Sequence, residues 1–364
     1  MRKLKQSLKG KKINIVDVIN DNASHNFCKQ LKTAIESIFT KKEYFLKNDN
    51  VLDFTVDFSD KEERDCLTLR IIHSKSYYES TKEEDPYKLF TDRPVQHVTF
   101  DDFPKNKKSK GHEAMENDLA ESACIVLLNE LLVRFDLIAN DEKSISLIDW
   151  TSYGFKDDWK FCLCEEKEID RSKKTKENHY YSMLITPNGH FEVKEVLQES
   201  QSEFSFCDEI FAMNNMNAEI HNKSDEKYSG LIMNSNGEIN IIQGTPYFML
   251  PSVKEVCSAV KSMEINKKKE TLEKMFAGCL DIYYKKNEEE SCEYYSVGQI
   301  GSGMNSKIER SARIRKIIPH KKSELFFKDV LNTMNVSFVR QGQLTIMPFP
   351  FKYLREWIKI KNAN

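Results

Sequence analysis

The sequence predicts an α/β protein in two units, and three observations carry that reading. Over residues 13–138, β-rich runs alternate with helix-periodic ones, the pattern of an open α/β sheet. From Ser144 onward, short strands come in hairpin pairs around Asn/Gly turns. The 364 residues are 40% hydrophobic and 31% charged, an ordinary globular composition with enough chain for two cores. The expected division is 1–140 and 141–364.

In the first unit, Ile13 to Ile19 is a short β-rich run, Asn20-Asp21-Asn22 a turn, and Ser24 a helix-cap candidate. Phe27, Leu31, Ile35 and Ile38 then repeat at helical spacing. Val51 to Phe58 and Cys66 to His73 are strands. Asp85-Pro86 opens a short helix, because proline suits a first turn. Pro94 to Phe100 is a strand, Pro104 to Gly111 a lysine-rich loop, and Glu113 to Ile138 a long helix with a broad apolar face.

In the second unit, Ile145 to Trp150 is expected as a strand ending near Asp149. Trp159 to Cys164 and Tyr180 to Ile185 follow as strands, with the charged segment 166–178 as a loop. Thr186-Pro187-Asn188-Gly189 and Asn234-Ser235-Asn236-Gly237 are hairpin turns. Pro251 to Met263, Lys267 to Asn287, Lys307 to Ile318 and Leu325 to Met334 are expected as helices, and Tyr294 to Gly298 as a strand. Val336 to Arg340 and Gln343 to Met347 read as a hairpin, and Phe351 to Ile360 as a closing helix.

Charge and cysteine usage narrow the function classes. Lys and Arg number 55 against 57 Asp and Glu, a formal charge of −2, so a nucleic-acid site has to be a local basic patch. The nine cysteines are scattered. Cys162 and Cys164 share one strand face but have no second pair at zinc spacing. Met1-Arg2-Lys3-Leu4-Lys5 lacks the apolar core of a secretion signal, and no apolar run reaches membrane length. These features predict a cytoplasmic protein.

Three groups of residues offer chemistry. Tyr87-Lys88 lies eight residues before Gln96, and together they supply a phenol, an ammonium and an amide. Lys105, Lys107, Lys108 and Lys110 make a basic loop beside them, which attracts phosphates unless it is only solvated. Gly301-Ser302-Gly303 leads into Lys307, Arg310, Arg313, Arg315 and Lys316, where a glycine turn at a helix start favours an anion. The glycine spacing is not that of a P-loop.

The stretch from Tyr87-Lys88 through Gln96 to the long helix resembles the MID-to-PIWI junction of prokaryotic Argonaute-like proteins. The resemblance is firmest over 66–138. It implies a Rossmann-like MID-type domain followed by an RNase H-like, PIWI-type domain. It further implies that Tyr87, Lys88 and Gln96 hold the 5′-phosphate of a guide strand. Arg134 stands as the basic residue of the following helix, where the family has a lysine. Lys105, Lys107, Lys108, Lys307, Arg310, Arg313 and Arg315 would follow the nucleic-acid backbone. With no room for the N-terminal and PAZ portions of full-length Argonautes, the chain is similar in this respect to short Argonaute-like proteins of bacteria, though shorter than these. Those proteins bind guide and target nucleic acid in prokaryotic defence and signal to a separate effector protein. The one cofactor this leaves room for is Mg²⁺ at the nucleic-acid end.

Cleavage chemistry is not expected. Asp149 occupies the place of a first RNase H carboxylate, but the hairpin that should supply a second offers Asn234, Asn236 and Glu238. Two alternatives remain. Glu192-Val193-Lys194 has the E-x-K form of a metal-dependent restriction-type nuclease, with Asp149 or Asp158 upstream. The chain also fits a non-catalytic scaffold subunit of a defence complex.

Overall fold

The structure is a computed structural model. It describes residues 2–40, 52–63, 65–86, 92–105, 119–170, 175–196, 228–249, 281–286, 292–297, 312–320 and 349–363. The chain divides into two compact units. One holds Met1–Trp150 and Glu356–Asn364, and the other Thr151–Phe338 and Gly342–Arg355.

The first unit is built on β1 (Lys12–Asp17), β2 (Thr55–Phe58), β3 (Leu67–Ile72) and β4 (Val95–Thr99). The sheet order is β2-β1-β3-β4 and every pair is parallel. Helices α1 (Arg2–Leu8), α2 (Asn22–Thr40), α3 (Lys75–Thr81) and α4 (Glu121–Ile138) complete it. All six residues of β3 are buried, as expected of a central parallel strand covered on both faces. Ile13, Ile15, Leu69 and Ile71 pack with Leu31 and Ile35 of α2 and with Leu128 and Leu131 of α4. Phe27 meets Phe100 and Phe103 edge-on, each at 5.5 Å between ring centres.

Local chemistry sets the helix ends. Asp21, rather than Ser24, caps α2: its Oδ1 accepts the Ser24 N–H at 2.6 Å, and Ser24 Oγ accepts the Asp21 N–H at 3.0 Å. Ser24 Oγ also donates to Asp17 Oδ2 at 2.7 Å. The long helix begins at Glu121, because Leu119 is held in an isolated bridge with Lys105. The expected strand over 145–150 is absent. Ser146 gives its N–H to Asp136 at 2.9 Å, and its carbonyl accepts from Ser7 Oγ, so neither group is left for a ladder. A 3-10 turn, Trp150–Tyr153, follows instead.

Among the described residues the second unit holds an antiparallel sheet of eight strands: β5 (Trp159–Asp170), β6 (Thr175–Ile185), β7 (Phe191–Val196), β8 (Tyr228–Asn234), β9 (Ile239–Met249), β10 (Asp281–Lys286), β11 (Cys292–Val297) and β12 (Ala312–His320). Its order is β10-β11-β12-β9-β8-β5-β6-β7. The hairpins expected around 186–189 and 234–237 are present, with Gly189 at φ 84° and Gly237 at φ 77° in their turns, and the one expected over 336–347 lies outside the described residues. Segment 166–178 departs from the loop expectation, since β5 and β6 extend through most of it, pairing Glu166 with Asn178 and Glu168 with Lys176. Residues 281–286 and 312–318 are strands where helices were expected over 267–287 and 307–318; the rest of those ranges, and the helices expected over 251–263 and 325–334, lie outside the described residues. Tyr283, Tyr284 and Ile314, Ile317, Ile318 favour extended backbone, and that preference wins over the charge pattern. The closing helix α5 spans Pro350–Ala363, and in the second unit Phe351 packs edge-on against Phe161 at 5.8 Å.

Candidate functional site

Gln96 and Arg134 come together in the first unit. Gln96 sits on β4 on the face that α4 covers, and Arg134 lies near the end of α4. Arg134 Nη1 donates to the Val95 carbonyl at 2.8 Å, and Nη2 lies 3.6 Å from the buried carboxylate of Glu356. Gln96 Nε2 donates to Glu130 Oε2 at 3.4 Å, one turn before Arg134 on α4. Gln96 Oε1 and Arg134 Nε are both shut off from solvent and lack a hydrogen-bond partner. Two buried polar atoms without partners are costly, and a ligand that met both would recover that cost.

Behind this pair lies a charged network. Arg70 of β3 is ion-paired with Glu62, and its Nη1 donates to His97 Nε2 at 3.0 Å. His97 therefore accepts through Nε2 and is neutral. Burial chiefly, with help from the charges of Arg70 and Arg134, pushes its pKa down to about 4.

The other expected residues are dispersed. Tyr87, Lys88, Lys107, Lys108, Lys110, Lys307 and Arg310 lie outside the described residues. Lys105 is exposed in its bridge to Leu119. Arg313 and Arg315 lie on β12, not on a helix, and the register of β12 against β9 slips between them. Asp149 is an exposed residue before the 3-10 turn and ends no strand, which removes the geometric basis for reading it as a first RNase H carboxylate. Glu192 and Lys194 share one face of β7, opposite Leu184 and Ser182. Among the described residues, no three His, Cys, Asp or Glu side chains gather so as to hold a metal. Cys28 and Cys124 are buried, which pushes each thiol up to about 12 and leaves it inert.

One further cavity opens at the carboxyl end of the parallel sheet. It measures about 720 Å³ and is lined by residues that follow β1 (Val18, Ile19, Asp21), by Arg70 and His73 of the β3 region, and by Tyr77 and Tyr78 of α3. Glu62, Glu83, Glu84 and Pro86 complete the described lining. The rings of His73 and Tyr77 are stacked, 3.8 Å apart at 18°. His73 Nδ1 lies 3.1 Å from Asp101, and Tyr78 Oη accepts the His73 N–H at 3.1 Å. Reading by motif missed this cleft. Its signal is Arg70, a charged residue in the middle of an otherwise apolar β-run.

No protein-family model matches the sequence, and no curated protein matches it. Among the described residues, no helix is long and apolar enough to cross a membrane.

Proposed function

We propose that the protein binds a guide strand together with its nucleic-acid target in prokaryotic defence, holding the 5′ end of the guide on the first unit. It signals to a separate effector protein and does not itself cut. The observation that carries this reading is the pair of buried, unpartnered atoms, Gln96 Oε1 and Arg134 Nε, on adjoining elements of a parallel α/β unit. A terminal phosphate would accept from Arg134 Nε and from the Lys88 ammonium. Gln96 Oε1 would accept from a base N–H or a ribose hydroxyl. Tyr87 and Lys88 follow directly in sequence on Pro86, which is buried and described.

Glu130 and Glu356 sit within bonding range of the same two side chains and oppose an anion. An Mg²⁺ ion there would need oxygen donors from the strand itself as well as from these carboxylates. The finer domain types, MID and PIWI, belong to this proposal too. The parallel first unit supports the former. The second unit is read as PIWI-type from its hairpins, although its described strand pairs are all antiparallel.

The direct test is the nucleic acid carried by the purified protein. The wild type is expected to show a raised 260/280 nm absorbance ratio after a low-salt purification. Arg134→Gln should lower the ratio while the protein remains folded by circular dichroism. Wild-type protein free of nucleic acid at every salt concentration would leave the scaffold reading in its place.

A further inference from the structure

The cleft at the carboxyl end of the sheet stands at its topological switch point. The chain leaves β1 for β2 on one side, then crosses back to β3 on the other. The crevice between the ends of β1 and β3 is where open α/β sheets bind ligands. Its volume of about 720 Å³ suits a small organic molecule.

The lining decides what kind. Phosphate sites at the switch point of such sheets use a glycine-rich first βα turn and a free helix N-terminus. Here the turn is Val18-Ile19-Asn20-Asp21, without glycine, and α2 is already capped by the protein's own Asp21 carboxylate. Among the described residues, four carboxylates (Asp21, Glu62, Glu83, Glu84) line the cleft against one guanidinium, Arg70, which is ion-paired with Glu62. A phosphate would meet repulsion and no backbone cradle. A planar ring would meet the Tyr77 side chain, already held flat against His73, and the apolar Val18 and Ile19. Hydroxyl donors would meet carboxylates, the partners that α/β folds use for ribose. Glu83 is placed for this, because it accepts from Tyr77 Oη at 3.3 Å beside the ring.

We propose that this cleft binds a nucleoside without phosphate, its base stacked on Tyr77 and its ribose hydroxyls donating to Glu83 and Glu84. Gln96 and Arg134, the described guide-end residues, do not line this cleft, and the proposal does not rest on the guide reading.

The test titrates the full chain with adenosine, guanosine, cytidine and uridine in turn, by calorimetry at low salt, and then with the 5′-monophosphate of whichever binds best. At least one nucleoside is expected to saturate a single site, with its monophosphate tenfold or more weaker. Tyr77→Ala should weaken the nucleoside tenfold or more, and Tyr77→Phe, which keeps the ring and loses only the hydroxyl bonded to Glu83, should weaken it clearly less. Glu84→Lys should narrow the gap between nucleoside and monophosphate. All titrations are repeated in Gln96→Ala protein, so that nucleotide bound at the guide-end residues is not counted. There, nucleoside binding should be unchanged. The proposal is overturned if none of the four nucleosides saturates at millimolar concentration, if Tyr77→Ala binds like wild type, or if the monophosphate binds as tightly as the nucleoside.

Discussion

Arg70 shows how a single residue organises the first unit. It stands in a strand buried along its whole length, so its charge has to be met inside the protein. Glu62 meets it, and His97 accepts its second donor. Replacing Glu62 with Gln removes the counter-charge and leaves the guanidinium behind. That change should cost about 3–5 kcal/mol in denaturant unfolding, the usual penalty for a buried charge left alone. Replacing both partners, Arg70→Met with Glu62→Gln, should cost less than the single change. His97 adds a pH signature. Its folded pKa of about 4 lies below the ordinary value of 6.5, so unfolding takes up a proton between those limits. Stability should fall as pH drops from about 6.5 to about 4, and His97→Gln should flatten that part of the profile. The sequence displays Arg70 plainly, as a charge inside an apolar run. It does not display Glu62 as the partner, because the two meet only once the loop before β3 folds over the sheet.

At the scale of elements, propensity and backbone accounting decide which readings hold. The α2 periodicity was legible because Phe27, Leu31, Ile35 and Ile38 all face one core. The strand expected over 145–150 was not to be had from pattern alone, since the side chains of Asp136 and Ser7 take the backbone groups of Ser146. Asp136→Ala should leave the half-buried Ser146 N–H without its carboxylate partner and lower stability by about 1–3 kcal/mol in urea titration. The basic run 307–318 read as a helix opened by the Gly301-Ser302-Gly303 turn. Its isoleucines place 312–320 in a strand. The hairpins of the second unit were readable from their Asn-Gly turns. Gly230 has a different reason to be glycine. A Cβ there would lie 2.7 Å from the Cys162 carbonyl and 3.3 Å from the Phe351 ring, and the carbonyl belongs to the neighbouring strand. Gly230→Ala should therefore destabilise the protein by about 1–3 kcal/mol in thermal or chemical unfolding.

At the scale of the whole molecule, the sequence and the structure agree on a parallel α/β unit followed by a sheet of hairpins. The candidate site was legible in part. Gln96 and Arg134, 38 positions apart in sequence, were named together and are found on adjoining elements. The cleft between β1 and β3 was not legible, because it depends on strand order, and order is invisible until the chain crosses over β1. The central claim is that the first unit grips a 5′-phosphorylated strand end. A fluorescence-anisotropy comparison tests it most directly, with one labelled oligonucleotide bearing either a 5′-phosphate or a 5′-hydroxyl, at fixed low salt. Charge-assisted hydrogen bonds to a phosphate contribute roughly 1.5–3 kcal/mol each, so the phosphorylated strand should bind about tenfold tighter or more. That preference should collapse in Arg134→Gln, with the 5′-hydroxyl strand little affected, whereas Gln96→Ala, which loses a contact to base or ribose, should weaken both strands alike and leave the preference in place. Equal affinity of the wild-type protein for the two strands would contradict the account.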